Sequence, residues 1–258
     1  MQRALVGGIC VGFLASYYGV FVVQRKLSFL GSGLAHAAFG GVALGLFLNT
    51  EPLWIAIPFT IAVAIGITWV KQNTVLGSDT AIGIFFSVSM ALGIVFLFLR
   101  RTYSTDAFTY LFGSILAVSK SDLWITTFIV LISIFTWPTW KRWAYASFDK
   151  ELAQTDRLPV EKDDYLLTIL VAITIVVSIK IVGIVLIAAF LVMPAATARL
   201  ISGTFQRMTV LSVLVGVTTA AFGLIASYYL DIPSGATIIL FQAFLFLISI
   251  IFRKTWTI

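Results

Sequence analysis

Nine stretches of this chain run apolar almost without interruption, and the polar residues gather in short groups between them. Leu5–Val23, Thr80–Leu99 and Met208–Leu230 each come close to the ~20 residues that a helix needs to cross a hydrocarbon core. Leu34–Leu48, Leu53–Val70, Leu123–Trp137, Tyr165–Ile179, Ile181–Met193 and Thr237–Phe252 are shorter or interrupted, and most can gain a turn at either end. The pattern predicts an all-α polytopic membrane protein, a single transmembrane domain over residues 1–258 with nine crossings in a range of eight to ten. The stretch 108–124, FTYLFGSILAVSKSDLW, fits least well, because Gly113, Lys120 and Asp122 break it. A half-helix or re-entrant piece is expected there, which a membrane tolerates where protein or a cavity covers the backbone. The first apolar stretch reads as a span, since no basic lead beyond Arg3 precedes it and no small-residue cleavage site follows.

Composition agrees. Sixty per cent of residues are hydrophobic and 11% charged, with a mean hydropathy of +1.05; soluble domains hold about 45–50% apolar and about 25% charged residues. The single cysteine, Cys10, excludes an internal disulfide and a cysteine-cluster metal site.

Charge sets the expected orientation. With the N-terminus outside and nine crossings, Arg3, Arg100, Arg101, Lys120 and Lys180 lie outside and the other twelve of the 17 basic residues inside, as the positive-inside rule requires. The N-terminus is therefore expected outside and the C-terminus in the cytoplasm, with Arg100 and Arg101 as misfits. The net charge of +6 reflects this topology. It does not suggest a nucleic-acid partner, which would want a basic face with interleaved aromatics in a soluble module. The longest polar loop, residues 141–164, surrounds Trp143, Tyr145 and Phe148 with charge. Ser147, a good N-cap residue, precedes Glu151 by four residues there, so a short helix is expected to start at Ser147. The loop is either a solvated linker or a surface that meets another protein.

Several chemistries are excluded. No phosphate loop of the form GxxxxGK[ST] occurs, so this chain does not hydrolyse nucleotide. One histidine allows no HExxH zinc site, and a Ser-His-Asp triad would depend wholly on His36. The acidic residues all fall at or near predicted span ends, which leaves no facing carboxylates at mid-membrane. Asp79 and Asp122 read as helix N-caps. Gly8 with Gly12, and Gly41 with Gly45, have the four-residue spacing that lets helix backbones approach closely.

Six stretches in order carry a resemblance. They are RKLSFLGSGLAHAAFGGVALG (25–45), DTAIGIFFSVSMALG (79–93), YLFGSILAVS (110–119), SFDKELA (147–153), IVGIVLIAAFLVMPAATARLISG (181–203) and LDIPSGATIILFQ (230–242). Together they resemble the permease subunits of bacterial zinc and manganese ABC importers. The resemblance implies a fold similar to the cobalamin and siderophore importers, in the bacterial inner membrane. The implied partners are a second copy of the chain, a cytoplasmic ABC ATPase dimer, an extracytoplasmic metal-binding protein and membrane lipid. Zinc or manganese is implied as transported ion, with no permanently bound cofactor.

Pro194 lies within an apolar helix, where it removes a backbone donor and bends the chain, and Arg199 and Arg207 flank Gly203 on the expected cytoplasmic side. Related permeases carry a similar pattern in the loop that docks into the ATPase, so Pro194, Arg199, Gly203 and Arg207 are the candidate coupling residues. The plainer alternative is a kinked helix with two positive-inside anchors.

The family pattern places an aspartate four residues before the histidine. This chain has Ser32 before His36, and residues four apart share a helix face. Imidazole and carboxylate suit zinc or manganese, whereas a neutral hydroxyl is a poor ligand. Three roles are open to His36: a transient metal contact on the translocation path with Ser32 beside it, a packed polar residue satisfied by Ser32 or a backbone carbonyl, or a pH-sensitive gate. Two other functions stay open at this point: an ATP-independent carrier or channel for divalent cations, and an ABC permease for an organic metal chelate.

Overall fold

The computed structural model describes residues 2–100, 110–114 and 118–254. A backbone in lipid has no water to bond to, so each apolar run satisfies its own amides as a helix. The helices are α1 (Gln2–Gln24), α2 (Ser28–Phe47), α3 (Pro52–Asn73), α4 (Ser78–Leu99), α5 (Lys120–Phe135), α6 (Trp140–Phe148), α7 (Lys150–Thr155), α8 (Val160–Val182), α9 (Ile184–Ile201), α10 (Phe205–Leu230) and α11 (Ser234–Lys254). No strand occurs among the described residues. Among the described residues, eight helices are long and apolar enough to cross a membrane; α5 and the helical stretch from Trp137 to Phe148, bent 44° from it, make nine if taken as one span.

The boundaries depart from the hydropathy reading in instructive places. α2 starts at Ser28, a full turn and a half before the expected Leu34. Its glycine-rich opening has poor intrinsic helix propensity, but the bare backbone packs tightly: a Cβ on Gly33 would come within 2.2 Å of Ile82 and one on Gly31 within 3.1 Å of Leu191. The extra turns put Ser32 inside the helix. Residues 101–109 and 115–117 lie outside the described ones, so the expected half-helix at 108–124 is described only in part. Tyr110–Phe112 are helical, and Gly113 then turns at φ 75° against Gly183 at φ 91°. A Cβ on Gly183 would stand 2.5 Å from the Leu111 carbonyl, so both positions need glycine for conformation and for space.

α1 is the axis of the molecule, packed against α5, α8, α9 and α10, and Tyr17, Tyr18 and Phe21 on it are almost wholly buried. Gly12, Gly41 and Gly45 each face the backbone of a neighbouring helix, as expected, while Gly8 faces the Leu224 side chain. A Cβ on Gly12 would lie 2.8 Å from the Gly216 carbonyl of α10, and one on Gly41 would lie 2.7 Å from the Ala56 backbone of α3. Gly12→Ala is therefore expected to cost about 1–3 kcal/mol through forced separation of two backbones. Gly203→Ala, where an added Cβ meets nothing within 4 Å, should leave the thermal unfolding temperature in detergent unchanged. Equal midpoints for the two variants would refute this packing account.

Charge collects at the two ends of the bundle. At one end Arg25 bonds Asp164 and, at 2.8 Å, Ser147, while Lys150 approaches Asp164 at 3.2 Å and Arg142 bonds Asp163 at 2.6 Å. Lys71 lines the same small cavity as Arg25 and Asp164. At the other end Lys180 bonds Glu51 at 2.8 Å and both oxygens of Asp122 at 3.0 and 3.1 Å.

Three capping expectations change. Asp122 is the third residue of a capping box whose N-cap is Ser119: Asp122 N–H donates to Ser119 Oγ at 3.2 Å and Ser119 N–H to Asp122 Oδ2 at 2.8 Å. Asp79 stands in the first turn of α4, where Gly77 is the N-cap; its charge still suits the helix dipole there. The N-cap of the short loop helix lies two residues beyond Ser147. Asp149 caps α7 by accepting from Leu152 N–H at 2.9 Å, while the Ser147 hydroxyl bonds back to Trp143 O at 2.6 Å.

Candidate functional site

Ser32 and His36 occupy one face of α2, both half-buried. The imidazole does not meet the serine hydroxyl. Its Nδ1 bonds the backbone carbonyl of Ser32 at 2.9 Å, and its ring packs edge-on against Phe86 of α4 with centroids 5.0 Å apart. A carbonyl oxygen only accepts, so Nδ1 carries the proton, and in the neutral ring Nε2 is left with a free lone pair. That is the arrangement in which a histidine ligates a metal, with the second nitrogen held by an oxygen acceptor. Among the described residues, no group of three or more His, Cys, Asp or Glu is placed to hold a metal ion. His36 thus presents one free ring nitrogen, and no cluster of such groups surrounds it among the described residues.

Pro194 is buried in α9, which continues unbroken through it to Ile201. Exposed Arg199 donates to Val23 O at 3.3 Å, tying the end of α9 to the last turn of α1. Gly203 lies exposed in the turn between α9 and α10, and Arg207 is exposed in the first turn of α10. Thr204 Oγ1 accepts from Arg207 N–H at 3.3 Å and so caps α10.

A feature without any local sequence signal is what the turn rests on. Phe205 packs against Phe21 of α1 at 5.6 Å, Trp140 at 5.4 Å and Phe148 at 5.5 Å between ring centroids. Trp143, fully buried against Phe21 at 5.7 Å, anchors α6 to the same spot. The helices of the long loop and the α9–α10 turn therefore make one surface, and Phe148, Leu152 and Ile201 stand exposed on it. The sequence pointed to its two parts separately. It did not indicate that they touch, nor that Lys180, Asp122 and Glu51 converge.

Comparison with known proteins agrees with this architecture. The ABC 3 transport family matches residues 1–253. The manganese import system permease protein ScaB of Streptococcus gordonii is 38% identical over 254 residues, covering 96% of this chain and 90% of ScaB. The high-affinity zinc uptake system membrane protein ZnuB of Haemophilus influenzae is 35% identical over 254 residues, covering 97% of each chain. Among solved structures, PsaBC from Streptococcus pneumoniae in complex with Fab superposes with a TM-score of 0.85 at 39% identity, over 96% of this chain and 90% of that one. A metal-chelate type ABC transporter in an inward-facing conformation shares the fold at 17% identity, with a TM-score of 0.79 over 96% of this chain and 85% of that one. Matched along nearly its whole length by the family and by these relatives, the chain belongs to the ABC 3 transport family.

Proposed function

We propose that this chain is the membrane permease subunit of an ATP-driven importer for a bare divalent metal ion, zinc or manganese. The observation that carries the proposal is end-to-end similarity to permeases named for manganese and for zinc, in a chain that has no phosphate loop of its own. Two copies work with a cytoplasmic ATPase pair and an extracytoplasmic metal-binding protein. The end of the bundle with Arg25, Lys71, Arg142 and Lys150 faces the cytoplasm, which is supported by its excess of basic residues. The N-terminus is then outside and the C-terminus inside. His36 contacts the ion in passage through Nε2, and a single weak contact suits an ion that must leave again.

The ATPase docks on the composite surface of α6, α7 and the α9–α10 turn, with Arg199, Gly203 and Arg207 at its centre and Pro194 in the helix behind them. Apolar side chains exposed at an aqueous end favour a protein partner. Phe148→Ser combined with Leu152→Ser is expected to lower the ATPase that co-purifies with the permease by about tenfold, as loss of an aromatic anchor does at interfaces. Undiminished co-purification would remove α6 and α7 from the docking surface.

Uptake into proteoliposomes tests the whole reading. The chain with its ATPase should accumulate zinc or manganese only with ATP. Equal uptake without ATP or without the ATPase would make the protein a carrier or channel.

A further inference from the structure

Where α5 gives way to α6, at the edge of the docking surface and away from the His36 face, the chain leaves a pocket. It has a volume of about 380 Å³ and lies between Trp137, Trp140 and Lys141 on one side and Gln206, Thr209 and Val210 of α10 on the other. Trp137 and Trp140 stack at 6.2 Å with their planes 20° apart, and Trp137 continues the stack onto Tyr17 at 6.4 Å. Trp137 is 56% exposed, and the buried indole N–H of Trp140 has no partner among the described residues.

Charge and depth define what fits. Lys141 is exposed and makes no ion pair among the described residues, whereas its neighbour Arg142 is committed to Asp163. No carboxylate lines the pocket, so it carries one uncompensated positive charge. It sits where α5 ends and α10 begins, at the basic end of the bundle. That is the boundary between hydrocarbon and water, where indole rings concentrate. Away from the pocket both helices turn large apolar side chains outward: Leu131 and Phe135 on α5, Leu214 on α10. The groove is basic and aromatic at one end and runs into exposed apolar helix faces at the other.

The geometry points to a binding site for one anionic phospholipid of the leaflet at the basic end. Its phosphate lies beside Lys141 and Gln206, its glycerol region against the stacked indoles, and its acyl chains along α5 and α10. Basic pockets between membrane helices on the cytoplasmic side select anionic headgroups in this way. The inference does not depend on which metal is carried.

Native mass spectrometry of the whole purified chain tests it, using phosphatidylglycerol and phosphatidylcholine with matched acyl chains in equal amounts. One phosphatidylglycerol should be retained about fivefold over phosphatidylcholine, the worth of one lysine at an anionic surface. Lys141→Gln, at an exposed position, should abolish that preference. In mixed micelles, phosphatidylglycerol brominated on its acyl chains should quench tryptophan fluorescence more in the unmodified chain than in Trp137→Phe. Water-soluble glycerol phosphate should not relieve the quenching. Equal retention of the two lipids, a preference unchanged in Lys141→Gln, no difference in quenching, or displacement by glycerol phosphate would overturn the proposal. A dimer that seals the pocket and retains no lipid would overturn it equally.

Discussion

Lys180→Met is expected to destabilise the protein by about 3–5 kcal/mol, the usual consequence of removing one partner from a buried ion pair. The side chain of Lys180 is 9% exposed and so is that of Asp122, which it bonds through both carboxylate oxygens. Without the ammonium, Asp122 keeps, among the described residues, the Ser119 N–H of its capping box and is left as a carboxyl group without its cation inside the protein. Glu51, bonded to the same Nζ, is 53% exposed, so water can replace its partner and Glu51→Gln should cost less than about 1 kcal/mol. The double variant Lys180→Met with Asp122→Asn should recover much of the loss, because the one charge then left unpaired, Glu51, is exposed to water. Thermal unfolding in detergent reads all three. Similar losses in Lys180→Met and Glu51→Gln would mean that burial is not what makes this cluster matter.

His36→Ala should lower ATP-driven metal uptake at least tenfold, with ATPase assembly and basal hydrolysis unchanged. The ring contributes little to packing: it is half-buried, meets Phe86 edge-on and bonds its own helix. Loss of a group one shell further from a metal already costs about 10–100-fold in affinity or activity, so loss of a contact should cost no less. Ser32→Asp places a carboxylate on the same face and should tighten metal retention and slow release. Uptake that is indifferent to His36→Ala at every metal concentration would leave the histidine a packed polar residue bonded to Ser32 O.

The helical bundle was legible because hydropathy is a local property: twenty apolar residues in lipid have one way to satisfy their backbone. The family was legible for a related reason, since its motifs are short and keep their order along the chain. Reading failed where local rules compete with packing. The glycines at 31 and 33 argued against helix, and α2 forms there because Ile82 and Leu191 fill the space a side chain would take. Asp122 satisfied the rule for an N-cap, yet Ser119, three residues earlier, holds that place.

Apolar patterning was sufficient for the fold class, and the bias of basic residues for an expected orientation. His36 stood out on composition alone. Which atom of Ser32 it meets, how Lys180 finds Asp122 across 58 residues, and that Phe148 leans on Phe205 belong to the packed bundle. Those contacts join positions far apart in the chain. Their free energy comes from burial and from pairing charges away from water, and neither exists until the helices have come together.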